Sequence, residues 1–479
     1  MSLPGPVFII GVPLLAAALL QLLRRWTTVV AWFAAGVAGL LAGMIAFIPA
    51  DQTISIGPLS VSLSAPISVF GRLLVVEDVD RLPLIFITAT AAGLFIVAWR
   101  LLPHSNFFPS GLIIVALLSG AMMVAQVVYA ALLVEMAAVM TVFPLHEPLQ
   151  EGELQSDDLK KKGGLQYMVY ATLALPGLMV TQLLLEQFAI FPSDQGLLQT
   201  ATILLGVSLA ILLGAVPFQS WLSSVAMDGS PPVVTFLFTV NIGTVWFLLL
   251  AYLESYTWLS QQAAFGSLFT SVGLLMMIMG GALAASQRRL GRLVGYATLV
   301  DNGAMFVALG SGQVAGLALS LVVLIARPFA LSLMTLGLDG LRHFGDGDDQ
   351  LDVVAGAAWV VPWRSLAFMV GGVAMAGFPL SLGFSARWGL YRLMVQENLF
   401  QALVALIGSA GIMMGLISAV HVLLTPPESE KVRTSVPEDR IVLLLILVLL
   451  LGTLTLGLFP QVVSQVALQA AEAFTFFVR

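Results

Sequence analysis

Two long apolar runs in this chain are broken in the same way, and these breaks constrain the fold more than any other feature. From Leu212 to Val240 the chain reads LLGAVPFQSWLSSVAMDGSPPVVTFLFTV, interrupted at Gly214 and Pro217 and resumed at Pro231-Pro232. From Ala374 to Trp388 it reads AMAGFPLSLGFSARW, again with a glycine shortly ahead of a proline, Gly377 and Pro379. Backbone groups freed inside a bilayer are tolerated only where protein or water covers them. Paired breaks therefore point to two transmembrane helices opened toward an internal polar path, as in inverted-repeat transporters. The spacing alone also fits a pair of simple proline kinks.

The rest of the chain supplies the membrane. Of 479 residues, 59% are hydrophobic and only 10% charged. A span needs about 20 apolar residues, and on that rule the chain reads as an all-α polytopic membrane protein with fourteen helices. Helices 1 and 2 run over 7–23 and 29–47, split by Arg24-Arg25, and the alternation in DQTISIGPLSVSLSAP predicts short strands. Helix 3 follows Asp80-Arg81. The run 107–145 is too long for one span at about 1.5 Å per residue, so it divides near Gln126. Helix 6 follows the loop EPLQEGELQSDDLKKKGG, helices 7 and 8 flank the first break, and helices 9 to 11 fall at 265–285, 293–309 and 314–336. Helix 12 holds the second break, helix 13 covers 400–423, and helix 14 starts at Arg440. Helical spacing of apolar residues after Pro460 predicts an amphipathic tail.

Correspondence of the breaks suggests two inverted five-helix repeats, helices 4–8 and 9–13, with broken helices 7 and 12. The expected domains are 1–106 (helices 1–3 with an outer hairpin), 107–255, 256–425, and 426–479 (helix 14 and tail). Lysine and arginine placement gives an orientation: with the N-terminus outside, Arg24-Arg25, Arg100, Lys160 to Lys162, Arg288, Arg289, Arg292, Arg342, Lys431 and Arg433 fall on cytoplasmic loops. Both termini are then outside. The first apolar segment lacks a small-residue cleavage site and reads as a retained helix. With no cysteine and four scattered histidines, the expectation is no metal and no cofactor on this chain. The net charge of −6 offers no basic face for nucleic acid.

Ionisable residues within spans are costly, at least about 2.5–3.5 kcal/mol on insertion scales, and so mark candidate sites. Glu135 lies mid-helix 5, Asp301 in helix 10, Arg327 mid-helix 11 and Arg387 just after the second break. They could form polar stepping stones along the membrane centre. Equally, Glu135 could dock on a neighbouring subunit and Asp301 pair statically with Arg327. His421 reads as an interfacial histidine rather than a relay member.

The motifs LLVEMAAVM, VPFQSWLSSVAMDGSPPVVTFL, GRLVGYATLVDNG and GFPLSLGFSARW resemble the antiporter-like membrane subunits shared by respiratory complex I, membrane-bound hydrogenases and Mrp antiporters. The compact length resembles the subunit N branch of that family. The resemblance implies a lipid-embedded membrane subunit, in the bacterial cytoplasmic membrane, partnered by other membrane subunits of a complex I-like or antiporter complex. It implies proton translocation driven by redox chemistry in those partners, of the NADH:quinone type, through Glu135, Asp301, Arg327 and Arg387. The alternatives are an Mrp-type cation/proton antiporter subunit and a non-conducting structural subunit. The resemblance also implies lysines at positions that here read Leu212, Ile242 and Phe329. The chain's four lysines all lie in loops. Arginine stays protonated where a desolvated lysine could release its proton.

Overall fold

The structure is a computed structural model describing residues 2–48, 53–56, 59–69, 72–103, 105–124, 126–147, 162–191, 194–262, 264–426 and 438–477. Lys160, Lys161, Lys431 and Arg433 lie outside the described residues.

β1 (Ser2–Pro4) leads into α1 (Gly5–Leu22) and α2 (Thr27–Phe47). The expected hairpin follows: β2 (Thr53–Ile56) pairs antiparallel with β3 (Leu59–Ser62), Ile54 opposite Val61. β1 adds to β3 in parallel, a pairing too short to show as alternation. β4 (Ile67–Val69) and β5 (Arg72–Leu74) make a second hairpin. Next come α3 (Asp78–Ala98), α4 (Phe107–Met123), α5 (Val127–Leu145) and α6 (Gly163–Ile190). The first broken helix is α7 (Gln195–Leu212) plus α8 (Ser220–Asp228). α9 (Pro231–Phe236) passes through a π turn, Leu237–Asn241, into α10 (Ile242–Ser255). α11 (Phe265–Ala285), α12 (Leu290–Gly310) and α13 (Val314–Phe344) precede α14 (Ala357–Val360). The second broken helix is α15 (Pro362–Met375) plus α16 (Leu382–Glu397). α17 (Leu399–Leu423), α18 (Arg440–Leu458) and α19 (Gln461–Glu472) complete the chain.

Among the described residues twelve helices are long and apolar enough to cross a membrane. Adding the shorter apolar α4 and the two-part α15–α16 gives the fourteen spans expected. The exception at a boundary is α13: expected to stop near Leu336, it runs to Phe344, because nothing before Gly345 breaks the helix.

The chain divides into two compact units. The first comprises Met1–Ser156, Gly164–Leu213 and Phe236–Leu259. Its core includes four fully buried rings, with Phe95, Phe107 and Phe236 packed at centroid separations of 5.4 to 6.0 Å and Phe108 at 6.1 Å from Phe95. Such edge and offset ring contacts add to plain area burial.

The second unit comprises Asp157–Gly163, Gly214–Thr235 and Ser260–Arg479. Here α12, 94% buried over its spanning window, lies against α11 backbone to backbone. A Cβ on Gly273 would sit 2.6 Å from the Gly303 carbonyl oxygen, and one on Gly303 would sit 2.7 Å from that of Gly273. Lipid tails are as apolar as leucine, so close backbone approach through small residues, rather than expulsion of water, holds such helices together. This contact fixes the height and rotation of α12, and hence of Asp301 two residues before Gly303. Replacing Gly273 by leucine must force the two helices apart, an overpacking cost of about 1–3 kcal/mol or more. The expected outcome is a lower thermal midpoint and a reduced monodisperse fraction in size-exclusion chromatography; unchanged behaviour would mean the helices are not in backbone contact.

Candidate functional site

The second break is closed by its own backbone. The Gly377 amide donates to the Ala374 carbonyl (3.1 Å) and the Phe378 amide to that of Val373 (3.2 Å), with Gly377 in the left-handed region at φ 74°. This paired closure of a helix end asks for glycine at that position, since other residues are strained there. Glycine is needed for a second reason: a Cβ on Gly377 would lie 2.2 Å from Cγ of Arg387. The break therefore makes room for the arginine that follows it. Pro379 lies in the turn before α16, and Leu380 also takes a positive φ, 70°, a strained conformation for a bulky side chain.

Arg387, in the second turn of α16, reaches Asp301 on α12: Nη2 donates to Oδ1 at 3.1 Å. Arg327 on α13 donates through Nε to the other oxygen, Oδ2, at 2.7 Å, and through Nη2 to the Met305 sulfur at 3.1 Å. Arg327 and Arg387 are each 1% exposed and Asp301 5%. Three of the four ionisable residues singled out from the sequence thus form one cluster joining α12, α13 and α16. Beside it lies a small cavity, lined by all three and by Thr453 of α18.

Glu135 is in the other unit. It is half-buried on α5 and accepts a hydrogen bond from the Thr172 hydroxyl of α6 at 2.6 Å. Within that unit the π turn brings Asn241 to α5 and α6: its Nδ2 donates to Thr141 Oγ1 at 2.9 Å and to the Tyr167 hydroxyl at 3.4 Å. A π turn, with its extra residue per turn, often marks a functional position. Leu212 and Ile242 are buried apolar side chains. His421 is exposed in the last turn of α17.

At the first break, Gly214 takes φ 63° and Pro217 sits in the turn before α8. What anchors α8 is a residue assigned to a loop by its charge. Arg342 is 6% exposed and caps the C-terminal end of α8, donating to the carbonyls of Ala226 (3.0 Å), Met227 (2.8 Å) and Gly229 (2.8 Å). It pairs with Asp349 at 2.8 Å, whose Oδ2 also accepts from the Gly291 amide (3.1 Å) at the start of α12. The signal in the sequence was the unbroken GLDGLRHF, which carries the helix past the expected boundary and puts Arg342 on it.

The family described as NADH:quinone oxidoreductase/Mrp antiporter, TM matches residues 158–414. The chain belongs to that family. The matched span contains both breaks and the Asp301 cluster, and Glu135 lies ahead of it. A relative named NADH-quinone oxidoreductase subunit N from Gemmatimonas aurantiaca is 27% identical over 288 residues, 57% of this chain and 53% of the relative. The chain spans about half the length of the curated relatives it matches. In fold it resembles a chain of the Mrp complex from Dietzia (TM-score 0.78, 16% identity, 98% of this chain and 97% of that one). It also resembles a chain of respiratory complex I from Thermus thermophilus with bound NADH (TM-score 0.74, 15% identity, 99% and 100%).

The role of Gly377 in this antiporter-family fold is testable against Gly312, which has a similar φ of 66° but open space around it. Alanine at either position carries the backbone strain, about 1–3 kcal/mol. Only Gly377→Ala also collides with Arg387, so it should lower the thermal midpoint distinctly more. Equal losses would mean that Arg387 does not pack against the break.

Proposed function

We propose that this chain is a membrane subunit of a complex I-like proton-translocating oxidoreductase of the NADH:quinone type. It works beside other membrane subunits in a bacterial cytoplasmic membrane, with both termini outside and no redox cofactor of its own. Residues 107–255 and 256–425 are its two antiporter-like repeats. The observation that carries this reading is the buried Asp301–Arg327–Arg387 cluster at the second helix break, within the span that matches the family. Relatives named subunit N support the assignment to a quinone-reducing assembly rather than to an antiporter driven by an ion gradient.

The proton pathway is altered. Positions 212, 242 and 329, where the resemblance implies lysine, hold leucine, isoleucine and phenylalanine. A proton carrier must both take up and release its proton, and arginine does not release it. Among the described residues, the hydrogen-bond partner of Glu135 is a hydroxyl, that of Thr172, rather than a cation. The first half-channel is on this reading weakened or silent, and the subunit serves mainly to join and orient its neighbours. The engagement of both Asp301 oxygens by arginine favours this structural role over conduction through Asp301.

Two measurements test the proposal. Gentle extraction of the tagged chain followed by mass spectrometry should recover iron–sulfur and quinone-site subunits; recovery of small hydrophobic partners alone, with no redox centre, would move it to the Mrp class. In the parent complex, Glu135→Gln should leave the proton-to-electron stoichiometry unchanged, and a drop in that ratio would show that Glu135 conducts.

A further inference from the structure

Two guanidiniums share one carboxylate in the cluster, and guanidinium is not deprotonated in proteins. Among the described residues lining the adjacent cavity, Asp301 is the one acid. The cavity therefore borders a surplus positive charge, which is costly to leave in a water-poor interior. Two hydrogen-bond donors at the cavity remain unused. Arg387 Nη1 is buried without a partner, and so is the hydroxyl of Thr453, a residue 5% exposed on α18. The cavity measures about 20 Å³, against the roughly 10–15 Å³ that one water needs. Its other walls, among them Val323, Ala330, Met375 and Leu382, are apolar. They offer no further donors to an oxyanion.

We propose that this cavity binds one small monovalent anion of chloride size, held by Arg387 Nη1 and Thr453 Oγ1. The anion balances the cluster, giving two positive and two negative charges at the second break. Water fits the same space but leaves the charge unbalanced. A larger apolar cavity of about 320 Å³ shares Ala374 and Thr453 with this one, and is bordered by the exposed Leu380 and Leu451. The proposal does not rest on the coupling assigned above, since the charge imbalance exists whether or not the subunit conducts.

A ligand that binds the folded state alone raises thermal stability by mass action, and this supplies the test. The full-length chain, extracted with its native partners, is exchanged into sodium gluconate, and chloride or bromide is titrated in at constant ionic strength. The thermal midpoint should rise and saturate with halide. Thr453→Val, nearly isosteric, should raise the half-saturating halide concentration at least about tenfold, the loss of one hydrogen bond to a charged group. Arg387→Gln, which removes the surplus charge, should abolish the response; if that variant does not fold, Thr453→Val still decides. Bromide should also give an anomalous scattering peak between Arg387 and Thr453. A midpoint indifferent to halide, the same half-saturation in Thr453→Val, or no bromide at the cavity would each overturn the proposal.

Discussion

A helix broken inside a membrane must satisfy its freed backbone groups from within the protein, because hydrocarbon offers them nothing. The second unit answers that demand in two layers. The Gly377 and Phe378 amides close the end of α15 on itself, and Arg387, seated against the bare face of Gly377, ties the resumed helix to Asp301. Asp301 is then shared with Arg327, so one carboxylate joins three helices. The first broken helix is held at its far end instead. The carbonyls at the C-terminal end of α8 are capped by Arg342, whose partner Asp349 also accepts from the Gly291 amide at the start of α12. Both devices meet on α12, whose place is set by glycine contact with α11.

Much of this was legible in the sequence, for reasons of length and spacing. Apolar runs gave the fourteen spans, and a glycine two or three residues ahead of a proline gave both breaks. The rule that charge inside a span needs a reason picked out Asp301, Arg327 and Arg387. What spacing could not give was partnership: Asp301 and Arg387 are 86 residues apart, and only the packed helices show that the carboxylate serves both arginines. Arg342 was hidden because a basic residue beyond the apolar end of a span ordinarily lies in a solvated loop. Its burial depends on an unbroken helix continuing past the hydrophobic stretch. Asn241 was hidden because its direction depends on a π turn, which shifts the register of a run whose residues are otherwise all consistent with a plain helix.

The choice of arginine is central to the functional reading. Lysine and arginine both suit a buried ion pair, but only lysine can give up its proton when desolvated. The guanidinium fork, with five donors in fixed directions, suits holding: Arg387 can bind Asp301 with one nitrogen and present another to the cavity. A site built this way is adapted to stay charged and to orient helices. On the proposed reading, this suits a subunit that orients its neighbours rather than one that passes protons through Arg327 or Arg387.

Asp301 and Arg387 hold the second break together through their mutual charge. A double-mutant cycle on the thermal or denaturant stability of the purified protein, using Asp301→Asn, Arg387→Gln and the pair, measures this directly. Asp301→Asn leaves two buried guanidiniums without their carboxylate, at a cost of about 3–5 kcal/mol, whereas Arg387→Gln leaves Asp301 paired with Arg327 and should cost less; the double variant should lose clearly less than the sum of the two. Strict additivity of the two losses would show that the residues do not act through each other, and that the break is held by its backbone closure alone.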